Sequence, residues 1–152
     1  MIRLLLSLVC AAFALFALSR AAPAGTLEEI SVPSPTLEAD IPAVIYLPDA
    51  FEPGMPVLYL LHGYGGGQRD WLDAGQTAET ADSVFAEPEA RPMAIVMPGV
   101  GNSWYVDGGQ VGRHGNWQTA LTQDFIPSAE HRLAVGGARE RRFVAGLSMG
   151  GF

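Results

Sequence analysis

The residue best placed to do chemistry in this chain is Ser148. It is the centre of Gly146-Leu147-Ser148-Met149-Gly150, a G-x-S-x-G pattern that directly follows the apolar run Phe143-Val144-Ala145. The pattern fits a strand that turns sharply into a helix with a serine at the tip. Glycines suit the flanks because a Cβ there would collide with neighbouring chain. A serine hydroxyl becomes a good nucleophile only when a base takes its proton. Acyl transfer also needs hydrogen-bond donors for the oxyanion of the tetrahedral intermediate. A glycine-rich turn with no chemistry also fits the pentapeptide, so the rest of the chain must decide.

A second glycine-rich stretch supports the chemical reading. Val57-Leu58-Tyr59-Leu60-Leu61 is apolar without alternation, as a central parallel strand should be. It runs into His62-Gly63-Tyr64-Gly65-Gly66-Gly67, a loop whose backbone a ligand can approach closely. In an α/β-hydrolase arrangement the oxyanion donors are the N–H after the nucleophile and an N–H from the loop after the third strand. Here these are Met149 and Tyr64. Of the three histidines, His62 is expected to prop its own loop through hydrogen bonds. His114 and His131 read as surface residues, and none is assigned as the base. The histidines are scattered and no cysteine supports them, so neither a metal site nor a cofactor is expected.

Composition narrows the function further. The chain has 152 residues, 49% hydrophobic and 16% charged, which indicates one globular domain. All nine basic residues are arginine and the net charge is -7, which argues against nucleic acid as a partner. Arg3 precedes the uncharged run Leu4 to Leu18, and Ser19-Arg20-Ala21 offers small residues around a cut after Ala21. Residues 1–21 therefore read as a secretory signal peptide, with an uncleaved anchor as the alternative. Cleavage would remove Arg3 and Arg20, taking the charge from -7 to -9. It would also remove Cys10, the only cysteine, so the mature chain has no disulfide. The expected location is secreted or periplasmic, without stable membrane association after cleavage.

The elements that must position these residues follow in order. Leu27 to Val32 is a first, edge strand; Pro33, Pro35 and Pro42 are expected to break pairing around it. Further strands are expected at 43–47, 57–61, 93–97 and 143–145. Helices are expected over Thr77 to Phe85, with Ala78, Ala81 and Phe85 on one face, and over Trp117 to Arg132. The second carries Leu121, Phe125 and Ala129 as a stripe, and Pro127 should kink or restart it. A long loop from Val100 to Asn116 carries Trp104, Tyr105 and Asp107. From residue 57 strands alternate with helices, which implies a mostly parallel sheet with crossover helices. Both glycine-rich loops then lie on one edge of the sheet.

Four blocks resemble one family. They are Leu60-Leu61-His62-Gly63-Tyr64-Gly65-Gly66, Ser103-Trp104-Tyr105-Val106-Asp107, the segment from Trp117 to Pro127, and Ala145-Gly146-Leu147-Ser148-Met149-Gly150-Gly151. In this order they resemble the esterase D/antigen 85-like esterases, a group of α/β-hydrolases. Gln118 departs from the glutamate often found in relatives. The resemblance implies a serine carboxylic-ester hydrolase acting through an acyl-enzyme on Ser148, on a small-molecule or carbohydrate ester. An acyltransferase with a sugar acceptor and a non-catalytic binding module of the same fold are the alternatives. The family order is serine, then acid, then histidine, and no residue follows Phe152. Residues 22–152 are therefore expected to be the N-terminal half of the domain, cut just after the serine turn. That piece alone is expected to be inactive and aggregation-prone.

Overall fold

The computed structural model describes residues 24–108 and 115–152. The expected signal peptide and His114 lie outside the described residues. Five strands form one sheet in the order β1-β2-β4-β3-β5. They are β1 (Thr26–Ser34), β2 (Ala39–Leu47), β3 (Val57–Leu61), β4 (Ala94–Pro98) and β5 (Arg142–Gly146). β1 and β2 form an antiparallel hairpin, and β2 runs antiparallel to β4. β4, β3 and β5 are mutually parallel. The sheet is thus mixed, with its parallel part beginning at residue 57 as the alternation of elements implies.

The hairpin is longer than the prolines suggest. Pro33 and Pro42 sit inside the strands, opposite Asp40 and Ser31. β1 is an edge strand, where a missing donor does no harm. Pro42 lies one residue before the β2–β4 ladder begins at Ala43, and its carbonyl accepts the Gly99 N–H at 2.8 Å. The N–H that proline lacks would point to that same side, so its absence falls at the end of the β2–β4 ladder and leaves the interior bonds intact.

Both faces are covered over β2, β3 and β4, which explains their unbroken apolar runs, whereas β5 is largely exposed. On one face lie α1 (Asp70–Asp73) and α2 (Thr77–Phe85). There Ala81, Ala78 and Phe85 pack against Val44, Tyr46, Ile95 and Met97. On the other face a continuous helix starts as α3 (Trp117–Thr119), widens to π-helix over Ala120–Phe125 and continues as α4 (Ile126–Leu133). Its stripe Leu121, Phe125 and Ala129 is buried against Ala43, Ile45, Tyr59 and Val96. Pro127 enters in the first turn of α4. In regular α-helix its ring would press on the carbonyl four residues back. The wider turns, in which the Ile126 N–H reaches Leu121, precede it and accommodate the ring without a break.

An ion pair with its carboxylate buried and its guanidinium partly exposed locks the amino end of this parallel unit. Arg142 donates through Nε and Nη2 to the Glu130 carboxylate at 2.5 and 2.7 Å. The Gly137 N–H and the Tyr59 hydroxyl donate to the same carboxylate at 2.9 and 3.3 Å. Burial disfavours the charge, but Arg142 and the other donors outweigh it and hold Glu130 below the usual carboxylate range.

Candidate active site

The turn after β5 has no spare volume. Gly146 lies opposite Leu61, and the Leu147 N–H donates to the Leu61 carbonyl at 3.2 Å. A Cβ on Gly146 would fall 2.0 Å from the Gly150 carbonyl oxygen. One on Gly150 would fall 2.3 Å from the Leu61 oxygen. Both obstacles are backbone, so only glycine fits either position. Between them Ser148 takes a left-handed conformation, φ +53°, and opens the 3-10 turn Ser148–Gly151. That conformation costs a non-glycine residue roughly 1–3 kcal/mol and persists only where the surroundings force it. Ser148 is exposed at the tip, whereas the Met149 side chain is buried in the core and anchors the turn.

The loop after β3 is held by hydrogen bonds. His62 is buried, and its Nε2 accepts the Val100 N–H at 3.1 Å. The ring proton is therefore on Nδ1, which donates to the Gly63 carbonyl at 2.8 Å. The same carbonyl accepts the Gly66 N–H at 3.2 Å, and the Gly65 N–H donates to Asn102 Oδ1 at 2.7 Å. His62 thus braces its loop, as the sequence suggests. A Cβ on Gly63 would sit 3.7 Å from Ser148 Cβ and 3.6 Å from the Leu147 oxygen. The two glycine-rich loops therefore meet at the serine. Among the described residues no acceptor takes the Tyr64 N–H or the Met149 N–H.

The segment after β4 completes the wall. Trp104 and Tyr105 are consecutive left-handed residues, φ +60° and +58°. The Trp104 ring meets Phe152 edge-on at 5.4 Å and lies 6.4 Å from Tyr64. Tyr105 donates its hydroxyl to the His62 carbonyl at 3.1 Å. Burial pushes its phenol above the ordinary tyrosine range, so it remains a donor. Asp107 accepts the N–H and hydroxyl of Thr119 at 2.9 and 2.8 Å and fixes the start of the long helix. A cavity of about 160 Å³ lies between this helix and the sheet, lined by Tyr105, Leu61, Gln118, Leu121 and Val144. The bracing roles of Val100, Asn102 and Tyr105 depend on contacts between loops after different strands, which spacing in the chain does not encode.

No imidazole or carboxylate among the described residues hydrogen bonds to Ser148. Both nitrogens of His62 are engaged elsewhere, and His131 is exposed in the last turn of α4. No cluster of three or more His, Cys, Asp or Glu among the described residues could hold a metal ion. No helix among them is long and apolar enough to cross a membrane.

A mixed sheet, helices on both faces and a left-handed serine between two glycine-rich loops are features of the α/β-hydrolase fold. The family described as "Putative esterase" matches residues 34–152, and the chain belongs to it. A solved ferulic acid esterase superposes with a TM-score of 0.75 at 30% identity, over 84% of this chain and 50% of that one. An endo-1,4-beta-xylanase/feruloyl esterase of Xylanibacter ruminicola is 26% identical over 84% of this chain and 19% of its own length. An acetyl esterase of Caldicellulosiruptor saccharolyticus is 29% identical over 76% of this chain and 40% of its own. The chain thus spans half or less of each of these relatives.

Proposed function

We propose that the protein is a carboxylic-ester hydrolase with Ser148 as its nucleophile. The observation that carries this reading is the left-handed Ser148 between two glycines that backbone contact makes obligatory, set against Gly63. Ser148 Oγ attacks the ester carbonyl carbon while its proton passes to a base outside the described residues. The carbonyl oxygen becomes an oxyanion that accepts the N–H groups of Tyr64 and Met149. Collapse breaks the bond to the alcohol, which leaves with the proton from the base. The resulting acyl-enzyme is attacked by water, and the acid departs as Ser148 regains its proton. Names of relatives that include acetyl and feruloyl esterases support a small acyl or aromatic acyl ester of a carbohydrate as substrate. The pattern over residues 1–21 supports export to the periplasm or medium.

The test is turnover of p-nitrophenyl acetate and methyl ferulate by the complete gene product beside its Ser148→Ala variant. The reading predicts release of alcohol by the first and none above background by the second. Equal turnover by both would remove Ser148 from the chemistry.

A further inference from the structure

The donor attributed to Tyr64 hangs on Gly63, the residue with the greatest freedom to rotate. The peptide that carries the Tyr64 N–H has the Gly63 carbonyl as its other end. In a trans peptide the two point in opposite directions, so whatever holds the carbonyl aims the N–H. His62 Nδ1 and the Gly66 N–H hold that carbonyl. They fix only the peptide after Gly63. The peptide before it ends in the His62 carbonyl, and that oxygen accepts the Tyr105 hydroxyl at 3.1 Å. With both flanking peptides held, Gly63 cannot turn about either of its own bonds.

Tyr105 reaches that oxygen only because of its unusual backbone. Trp104 and Tyr105 both sit at positive φ, and the Tyr105 N–H is tied to Ser103 Oγ at 3.1 Å. This folds the Tyr105 ring against the His62 ring, with centroids 5.9 Å apart. Strain of this kind survives where the surroundings hold it and concentrates at functional sites.

We propose that Tyr105 is a positioning residue for the oxyanion donor, acting through the His62 carbonyl on the direction of the Tyr64 N–H. The proposal rests on the esterase reading above. It follows that the Tyr105 hydroxyl matters to the transition state and not to the bound substrate. Tyr105→Phe keeps the ring against His62 and removes only the hydroxyl. Loss of an oxyanion donor lowers kcat by 10²–10³-fold, so a misaimed one should lower it by about 10-fold. KM should stay within about 2-fold, because the ground-state ester does not use the donor fully.

The experiment compares the complete gene product, Tyr105→Phe and Ser148→Ala in p-nitrophenyl acetate hydrolysis. It adds inhibition by an aryl trifluoromethyl ketone, whose adduct on the serine carries an oxyanion. An irreversibly inactive fraction leaves the inhibition constant unchanged, and a melting curve of the variant measures any fraction that unfolds reversibly, by which the constant is corrected. The proposal expects kcat down about 10-fold, KM unchanged and the ketone weakened in parallel. Wild-type kcat and ketone affinity in Tyr105→Phe, with Ser148→Ala dead, would overturn the positioning role and leave the esterase reading standing. A raised KM with unchanged kcat would overturn it equally. Full turnover by Ser148→Ala would bring down both.

Discussion

The two ends of the parallel unit formed by β3 and β5 are built on opposite principles. At the amino end, Glu130 accepts from Arg142, Gly137 and Tyr59, and the buried charge is matched by donors. At the carboxyl end, Ser148, Trp104 and Tyr105 hold left-handed conformations, and the N–H groups of Tyr64 and Met149 have no acceptor among the described residues. One end satisfies its polar groups inside the protein; the other carries the donors that the proposed esterase chemistry would use. The same two strands thus join a closed structural knot to the edge proposed as reactive.

Variants can break this contrast in order of expected effect. Ser148→Ala should lower ester turnover by at least about 10⁴-fold with little change in thermal stability, measured by kinetics and melting. Gly146→Ala forces a Cβ onto backbone and should cost about 3 kcal/mol or more in urea unfolding, with activity lost as well. Glu130→Gln should cost about 2 kcal/mol, less than a fully buried pair because Arg142 is partly exposed. Its sharper signature is pH. Glu130 titrates lower folded than unfolded, so its stabilisation is present above the unfolded carboxylate value. It is lost as pH falls through the folded one. The acid arm of a stability–pH curve should therefore flatten in Glu130→Gln, while an unchanged arm would show that the amino end is not the lock described. Tyr59→Phe should cost only about 0.5–1 kcal/mol, because its bond is long and the carboxylate keeps three other contacts.

The amino-acid sequence makes the reactive end easier to read than the locked end. The two glycine-rich loops announce themselves because the steric demand falls on single residues, such as Gly146 and Gly150, that have no substitutes. Apolar runs without polar alternation likewise reveal β3 and β4 as strands covered on both faces. The Glu130–Arg142 pair is invisible in the chain, because two charged residues twelve apart look like surface until the helix and β5 bring them together. The extended hairpin is missed for a related reason: a proline breaks a strand when its lost donor falls inside a ladder, and here Pro33 lies on the edge strand and Pro42 just beyond the end of the β2–β4 ladder. The long helix reads correctly in extent, but Pro127 does not break it as expected, because the π-helical turns before it, which local propensity does not express, make room for the ring.

The central claim is that Ser148 is the reactive serine of this edge. The most direct measurement is intact-mass spectrometry of the complete gene product after treatment with a fluorophosphonate, followed by peptide mapping. A single adduct on Ser148, absent in Ser148→Ala, is the predicted result. Hydrolysis of an aryl acetate by protein that gains no adduct on Ser148 would contradict the account.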